Sequence, residues 1–320
     1  MLVLSRDELI GLLPPPQILA TVEAALRAQS EGSTVMPQRL HVQWRGNTWL
    51  TMPAVSDVGF GVKIVSVAPT NRALGLPVID GIMLLSENEN GMPLALLNAA
   101  ALTAQRTGAV GALGVKYLTA EDTASVGIVG CGVQGAWQAI FACAVRPIQE
   151  VFAVGRSPAS FEAFAAAVSR HNPHVRVTRC WDVVELLERT NLVITATTSD
   201  TPVLPDEPAR LQNKHFISVG SYKPTMQELP DSVYQLAGTL AVDSLDALHE
   251  VGDVIHPLQR NLLKAQDIFS IGECVAGERR VDTSRTTAYK SVGAAVYDLF
   301  VAKALYRAAK AQGIGREIAL

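Results

Sequence analysis

Just before its midpoint the chain reads Ser125-Val-Gly-Ile-Val-Gly130-Cys-Gly132-Val-Gln134-Gly135. The first five residues form a short apolar run of the kind buried strands use, and the rest a glycine turn entering a helix. Gly130, Gly132 and Gly135 stand at G-x-G-x-x-G spacing. In a dinucleotide site the first glycine makes the tight turn, the second lets backbone approach a pyrophosphate, and the third lets helix pack on strand. The free N–H groups and the positive dipole end of the helix then face the phosphates. Gly130, Gly132, Val133, Gln134 and Gly135 are therefore candidate cofactor residues. Glycine-rich turns also serve packing, so the surrounding sequence decides what this one means.

From Ser125 onward, strand and helix patterns alternate, the mark of a parallel sheet with crossover helices. The pattern predicts strands over residues 126–129, 151–154, 175–178, 192–195, 216–219 and 239–242, and helices over 133–144, 161–171 and 183–188. Six strands in this order fit a Rossmann-type, doubly wound α/β domain. Residues 286–312 read as one long closing helix that leaves this unit to pack on the first domain.

The first third has a different rhythm. Ser5-Arg-Asp-Glu8 is a capping box opening a short helix that Pro14, Pro15 and Pro16 bring to a stop. Ile18, Val22, Ala25 and Leu26 recur at helical spacing up to Gly32. From His41 to Met52 two β-prone arms flank Arg45-Gly46-Asn47, a hairpin pattern, and further strand-like runs cover 62–67, 78–85 and 93–97. Residues 99–117 form an alanine-rich helical stretch. This domain reads as α+β.

The chain has 320 residues, 48% hydrophobic and 18% charged, with 27 basic against 30 acidic side chains and a net charge of -3. The absence of a basic excess argues against a nucleic-acid surface. No apolar run of about 18 residues predicts a membrane span, and the N-terminus lacks the build of a signal peptide. A cytoplasmic protein is expected. Cys131, Cys143, Cys180 and Cys274 show no metal-ligand pairing with one another or with histidine, so they read as small buried side chains and no metal site is expected.

In a Rossmann fold an acidic residue at the end of the second strand binds the free ribose 2′-hydroxyl of NAD. Here that position reads Val154-Gly155-Arg156-Ser157. A guanidinium and a hydroxyl suit the 2′-phosphate of NADPH instead, with NADH as the alternative cofactor.

Three cations of the first domain stand beside turns or strand ends: Arg39 in Met36-Pro-Gln-Arg39, Lys63 in Gly61-Val-Lys63, and Arg106 in Thr103-Ala-Gln-Arg106-Thr107. Taken singly, each reads as a surface charge or as a grip for a small carboxylate. Together, Met36-Pro-x-Arg39, Met52-Pro53, Gly61-x-Lys63, Thr103-x-x-Arg106-Thr107, Gly130-x-Gly132-x-Gln134 and Lys290-Ser291-Val292-Gly293 resemble the ornithine cyclodeaminase and mu-crystallin family, nearly end to end and in the family's order.

The resemblance implies a substrate-binding and dimerisation domain over 1–118 and 294–320, a Rossmann domain over 119–293, and a homodimer. It implies that Arg39, Lys63 and Arg106 hold the substrate carboxylate and reacting nitrogen. By the same resemblance Thr107 and Gln134 lie near the cofactor phosphates, Arg106 also contacts the cofactor, Thr195, Ala196 and Thr197 run along the dinucleotide, and Ser291 lies close to the nicotinamide.

Departures from the family pattern sort its chemistries. Cyclodeaminases carry an aspartate in a Gly-x-Asp-x-Pro-Gly-Lys segment, where this chain has Tyr222 in Gly220-Ser221-Tyr222-Lys223-Pro224. A phenol with a reference pKa of about 10 does not replace a carboxylate base near neutrality. The region of a second cyclodeaminase acid holds Trp49 and Leu50. The resemblance then implies a ketimine reductase that takes a small cyclic imino acid, Δ1-pyrroline-2-carboxylate to L-proline or Δ1-piperideine-2-carboxylate to L-pipecolate, with Lys63 or a water delivering the proton. Cyclodeamination, amino-acid dehydrogenation and ligand storage without turnover are the family's other outcomes.

Overall fold

The computed structural model describes residues 1–319. The chain divides into two compact units, Met1–Arg106 with the segment from Ala294 onward, and Thr107–Gly293. The first division falls inside a helix, at Arg106, rather than after it at 118.

The first unit opens with β1 (Leu2–Leu4) and α1 (Arg6–Leu9); the Ser5 backbone N–H donates to the Glu8 carboxylate, as a capping box requires, and the Ser5 hydroxyl donates to the same carboxylate. The prolines do not stop this helix, which ends at Leu9. Pro14 instead caps α2 (Pro15–Ser30), and Pro15 and Pro16 fill its first turn. A first turn leaves its N–H groups unpaired, so proline costs nothing there. There follow β2 (Thr34–Val35), β3 (Leu40–Trp44), β4 (Asn47–Ser56), β5 (Gly59–Val67), β6 (Ile79–Ser86), β7 (Pro93–Asn98) and α3 (Ala99–Leu118). The hairpin between β3 and β4 turns at Arg45 and Gly46.

The second unit continues with β8 (Ser125–Val129), α4 (Val133–Val145), β9 (Glu150–Val154), α5 (Pro158–His171), β10 (Arg176–Arg179), α6 (Val183–Arg189) and β11 (Leu192–Thr195). After these come α7 (Pro208–Leu211), β12 (His215–Ser218), α8 (Asp231–Ala237), β13 (Leu240–Val242), α9 (Ala247–Glu250), α10 (Gly252–Gln259), β14 (Ile268–Ser270), α11 (Ile271–Ala276) and β15 (Thr287–Lys290). The sheet order is β10-β9-β8-β11-β12-β15-β13-β14, parallel throughout.

Eight strands, not six, make this sheet, and β15 lies in the stretch read as the start of the closing helix. All four of its residues are buried. A strand covered on both faces shows no polar-apolar alternation, so Thr-Ala-Tyr-Lys carries no period-two signal. β15 also separates β12 from β13, the expected sixth strand. Because the strands are parallel, the segments after β8, β11, β12 and β15 all leave from one edge of the sheet, the carboxyl edge where open α/β sheets bind ligands.

The closing helix α12 (Ala295–Gln312) and β16 (Arg316–Glu317) complete the first unit. Its sheet runs β16-β1-β7-β6-β5-β4-β2, with β3 paired to β4. β1 is parallel to β7, and the other pairs are antiparallel. α12 packs on α2, β4 and β5. Gly59, Gly61, Lys63 and Val65 of β5 alternate onto the buried face.

Candidate active site

Strand alternation alone would bury an apolar side chain at position 63. Instead the buried face of β5 carries Lys63, between Met52 of β4 and Met83 of β6 in the register of the sheet. A buried ammonium needs a charged partner, and α12 supplies one. The Lys63 Nζ donates to Asp298 Oδ2 at 2.6 Å, and the Arg106 Nε donates to Asp298 Oδ1 at 2.9 Å. Lys63 is 2% exposed and Asp298 fully buried. Gly61 makes the approach possible: a Cβ there would lie 2.5 Å from Met83 Cε and 3.1 Å from the Cδ1 of Leu299, the neighbour of Asp298.

Burial pulls the Lys63 ammonium down from its ordinary value to about 7, against the opposing pull of Asp298, while the charges of Arg106 and Arg39 push it the same way as burial. The structure thus brings Lys63 and Arg106 together on the Asp298 carboxylate, and the charge of Arg39 is felt at Lys63. The sum is cationic. Such a site attracts an anion, and its lysine can give up a proton near neutral pH at little cost.

In the second unit the glycine loop leaves β8 with Gly130 at φ +111°, where a Cβ would lie 2.6 Å from the Ala196 carbonyl oxygen. Gly130 N–H donates to Val154 and Ala196 N–H to Val129, so the loop and the segment after β11 are tied to one another and to the sheet. Around Gly132 the space is open, with no atom within 4 Å of where a Cβ would stand. This residue caps the N-terminus of α4. Two buried polar atoms here, Gln134 Oε1 and Thr195 Oγ1, have no hydrogen-bond partner among the described residues. An open backbone cradle at a helix N-terminus beside unpaired polar atoms fits a phosphate-bearing dinucleotide. Cys131, inside the loop, is held as a thiol because burial pushes it up to about 11.

Arg156 is exposed at the end of β9, while the Ser157 hydroxyl accepts from Ser160 N–H and caps α5. Thr107 accepts at its carbonyl oxygen from Gln138 Nε2. Ser291 is buried, and its hydroxyl donates to Asp243 at 3.1 Å. Tyr222 is exposed, with the Lys223 ammonium 5.3 Å from its ring centroid.

Three acids of these sites have no place in the reading of the sequence. Asp298 holds Lys63 and Arg106. Asp243 holds Ser291 Oγ and the backbone N–H groups of Val292 and Gly293. Glu228 holds the segments after β11 and β12. For Asp298 a signal existed: it is the one acid between Asp282 and Glu317, set in an apolar helix.

The model of the ornithine cyclodeaminase/mu-crystallin family matches residues 2–313. The Delta(1)-pyrroline-2-carboxylate reductase of Bacillus cereus is 36% identical over 329 residues, covering 99% of each chain. The structure of Thermococcus litoralis Delta(1)-pyrroline-2-carboxylate reductase in complex with NADH and L-proline aligns with a TM-score of 0.93 and 31% identity over 99% of this chain and 100% of the other. An archaeal alanine dehydrogenase dimer with bound NAD aligns with a TM-score of 0.91 and 27% identity over 100% and 99% of the two chains.

Proposed function

The chain belongs to the ornithine cyclodeaminase/mu-crystallin family, and from that premise we propose that it is an enzyme reducing a cyclic ketimine carboxylate with a nicotinamide dinucleotide. The substrate is Δ1-pyrroline-2-carboxylate and the product L-proline. The six-membered Δ1-piperideine-2-carboxylate, reduced to L-pipecolate, is the same chemistry, and one methylene changes pocket preference by only about 1–3 kcal/mol.

The observation that carries this reading is the buried cluster of Lys63, Arg106 and Asp298 with Arg39 acting on it. Its surplus positive charge is balanced by a substrate carboxylate, gripped by Arg39 and Arg106. Lys63 then faces the ring nitrogen. The dinucleotide, when bound, supplies the hydride that C2 of the imine accepts. Lys63 gives its proton to the ring nitrogen, so that C=N becomes CH–NH, and Asp298 keeps the lysine oriented for it. Protonation at nitrogen makes the carbon more electrophilic and lowers the barrier where charge changes. The residues that would hold the dinucleotide are Thr107, the loop from Gly130 to Gly135, Thr195, Ala196, Thr197 and Ser291. At the ribose end Arg156 and Ser157 favour NADPH, with NADH accepted.

Tyr222 supports reduction over deamination, since that position offers no carboxylate to a departing amine. The test is stoichiometric. Dinucleotide oxidation is followed with pyrroline-2-carboxylate, piperideine-2-carboxylate and ornithine side by side. One dinucleotide consumed per cyclic imine is the expected result; ammonia released from ornithine with no net change in cofactor would replace reductase by cyclodeaminase.

The active form is proposed to be a homodimer joined through the outer face of the first unit's sheet. Leu40, Thr51, Ile64 and Ile82 are register partners in one row across β3, β4, β5 and β6. The three aliphatic members are exposed, as are Val42 and Trp49 in the next row. A contiguous apolar sheet face of this kind marks an interaction surface, and the archaeal alanine dehydrogenase of the same fold is a dimer. All four cysteines are free thiols, which supports a reducing, cytoplasmic compartment.

A further inference from the structure

The second unit buries acids that the reduction does not use. Glu228 is fully buried in the segment between β12 and α8. Its Oε1 accepts from Thr197 N–H at 2.6 Å and Thr197 Oγ1 at 2.7 Å, and its Oε2 accepts from Gly220 N–H at 2.6 Å and from Ser218 Oγ at 2.9 Å. Thr197 follows β11 and Gly220 follows β12, at the carboxyl edge of the sheet. One carboxylate therefore ties two neighbouring loops at the backbone, and through Ala196 it reaches the glycine loop that packs against that residue.

Behind Glu228 stands a second buried acid. Asp253 accepts at Oδ1 from the N–H groups of Glu228 and Leu229 and from the Tyr234 hydroxyl, and at Oδ2 from Ser221 Oγ. Lys290 Nζ lies 3.7 Å from Asp253 Oδ2 and donates to Ser218 Oγ. Glu228, Asp253 and Lys290 are all 0% exposed. Two buried carboxylates and one ammonium cost more than an apolar core of the same volume unless all their hydrogen bonds are made. Each of these carboxylates accepts from several backbone and hydroxyl donors, and the outward bonds of Glu228 go to loops on the ligand-binding edge.

We propose that Glu228 is the positioning residue of the dinucleotide site, holding the Thr197 and Gly220 segments in their ligand-bound geometry before the dinucleotide arrives. The inference rests on reading the second unit as a dinucleotide site. Preorganised loops spare the ordering cost that binding would otherwise carry, so losing the clamp weakens dinucleotide affinity while the substrate side of the reaction is untouched.

Two measurements test this, starting with dinucleotide affinity from the fluorescence of bound NADPH and NADH, for the wild-type chain, Glu228→Gln and Glu228→Asp. Wild-type protein that binds neither dinucleotide would overturn the dinucleotide reading itself. If the wild type binds, Glu228→Gln is expected to raise the Kd and KM for dinucleotide about tenfold or more, or about 1.4 kcal/mol. The KM for the imino acid and kcat at saturating dinucleotide should stay within about twofold, and Glu228→Asp should fall between the two. An unchanged Kd, or a loss confined to kcat, overturns the proposal. The second measurement needs no variant: hydrogen exchange at the Thr197 and Gly220 amides of the wild-type chain should be slow without dinucleotide and little slower with it. Amides that gain protection only on binding would show loops ordered by the ligand and overturn the proposal independently.

Discussion

Lys63 Nζ and Asp298 Oδ2 lie 2.6 Å apart across 235 positions of sequence, one on the buried face of a strand and the other in the first turn of the closing helix. This pair makes a lysine serviceable as an acid. Burial lowers its proton affinity, and Asp298 keeps part of that affinity in place.

With Lys63 titrating at about 7, kcat/KM for imine reduction should fall as pH rises through that value, since only the ammonium carries the proton to be given. Lys63→Met should lower kcat by about 10²- to 10⁴-fold, the range of a lost general acid, and flatten the pH profile while dinucleotide still binds. Stability should follow the same titration in the opposite sense. Between about 7 and the ordinary lysine value of 10.5 the unfolded chain holds the proton and the folded one has released it, so this residue's contribution makes stability rise with pH across that window. Rate profiles and denaturant titrations at several pH values check both.

Asp298→Asn keeps the shape of the side chain and removes its charge. Two buried cations then lose their partner, at a cost of about 3–5 kcal/mol in unfolding free energy. Asp298 raises the proton affinity of Lys63, so its loss should move the falling limb of the pH profile below 7. A midpoint shift in denaturant together with that displacement is the expected signature.

Arg156→Ala should raise the KM for NADPH about tenfold or more and leave that for NADH nearly unchanged, because a guanidinium–phosphate contact contributes about 1.5–3 kcal/mol. Equal effects on both cofactors, in parallel steady-state titrations, would remove Arg156 from cofactor choice.

Ile64→Lys places a charge in the middle of the exposed apolar row formed with Leu40, Thr51 and Ile82. Light scattering should then report a monomer at micromolar concentration and a dimer for the wild-type chain. A dimer that survives would move the interface to another face.

The parts legible in the chain are those whose physical cause is local. The glycine loop between β8 and α4 is one, since turn and helix start are settled within eleven residues, 125–135. The capping box at Ser5 and the hairpin at Arg45-Gly46 are others. The prolines at 14–16 were legible as punctuation but ambiguous in direction, because the same residue ends one helix and starts the next. The strand at Thr287–Lys290 was hidden by its own burial.

The sequence by itself determined the Rossmann class and the position of the glycine loop between β8 and α4, and it singled out three cations, each written in a few adjacent residues. Tertiary structure alone decided what those cations are. Lys63 becomes a weakly basic amine because the sheet buries it, and the closing helix brings Asp298 to it and to Arg106 across 235 and 192 positions. Desolvation and ion pairing depend on distance in space, and no spacing along the chain encodes that distance.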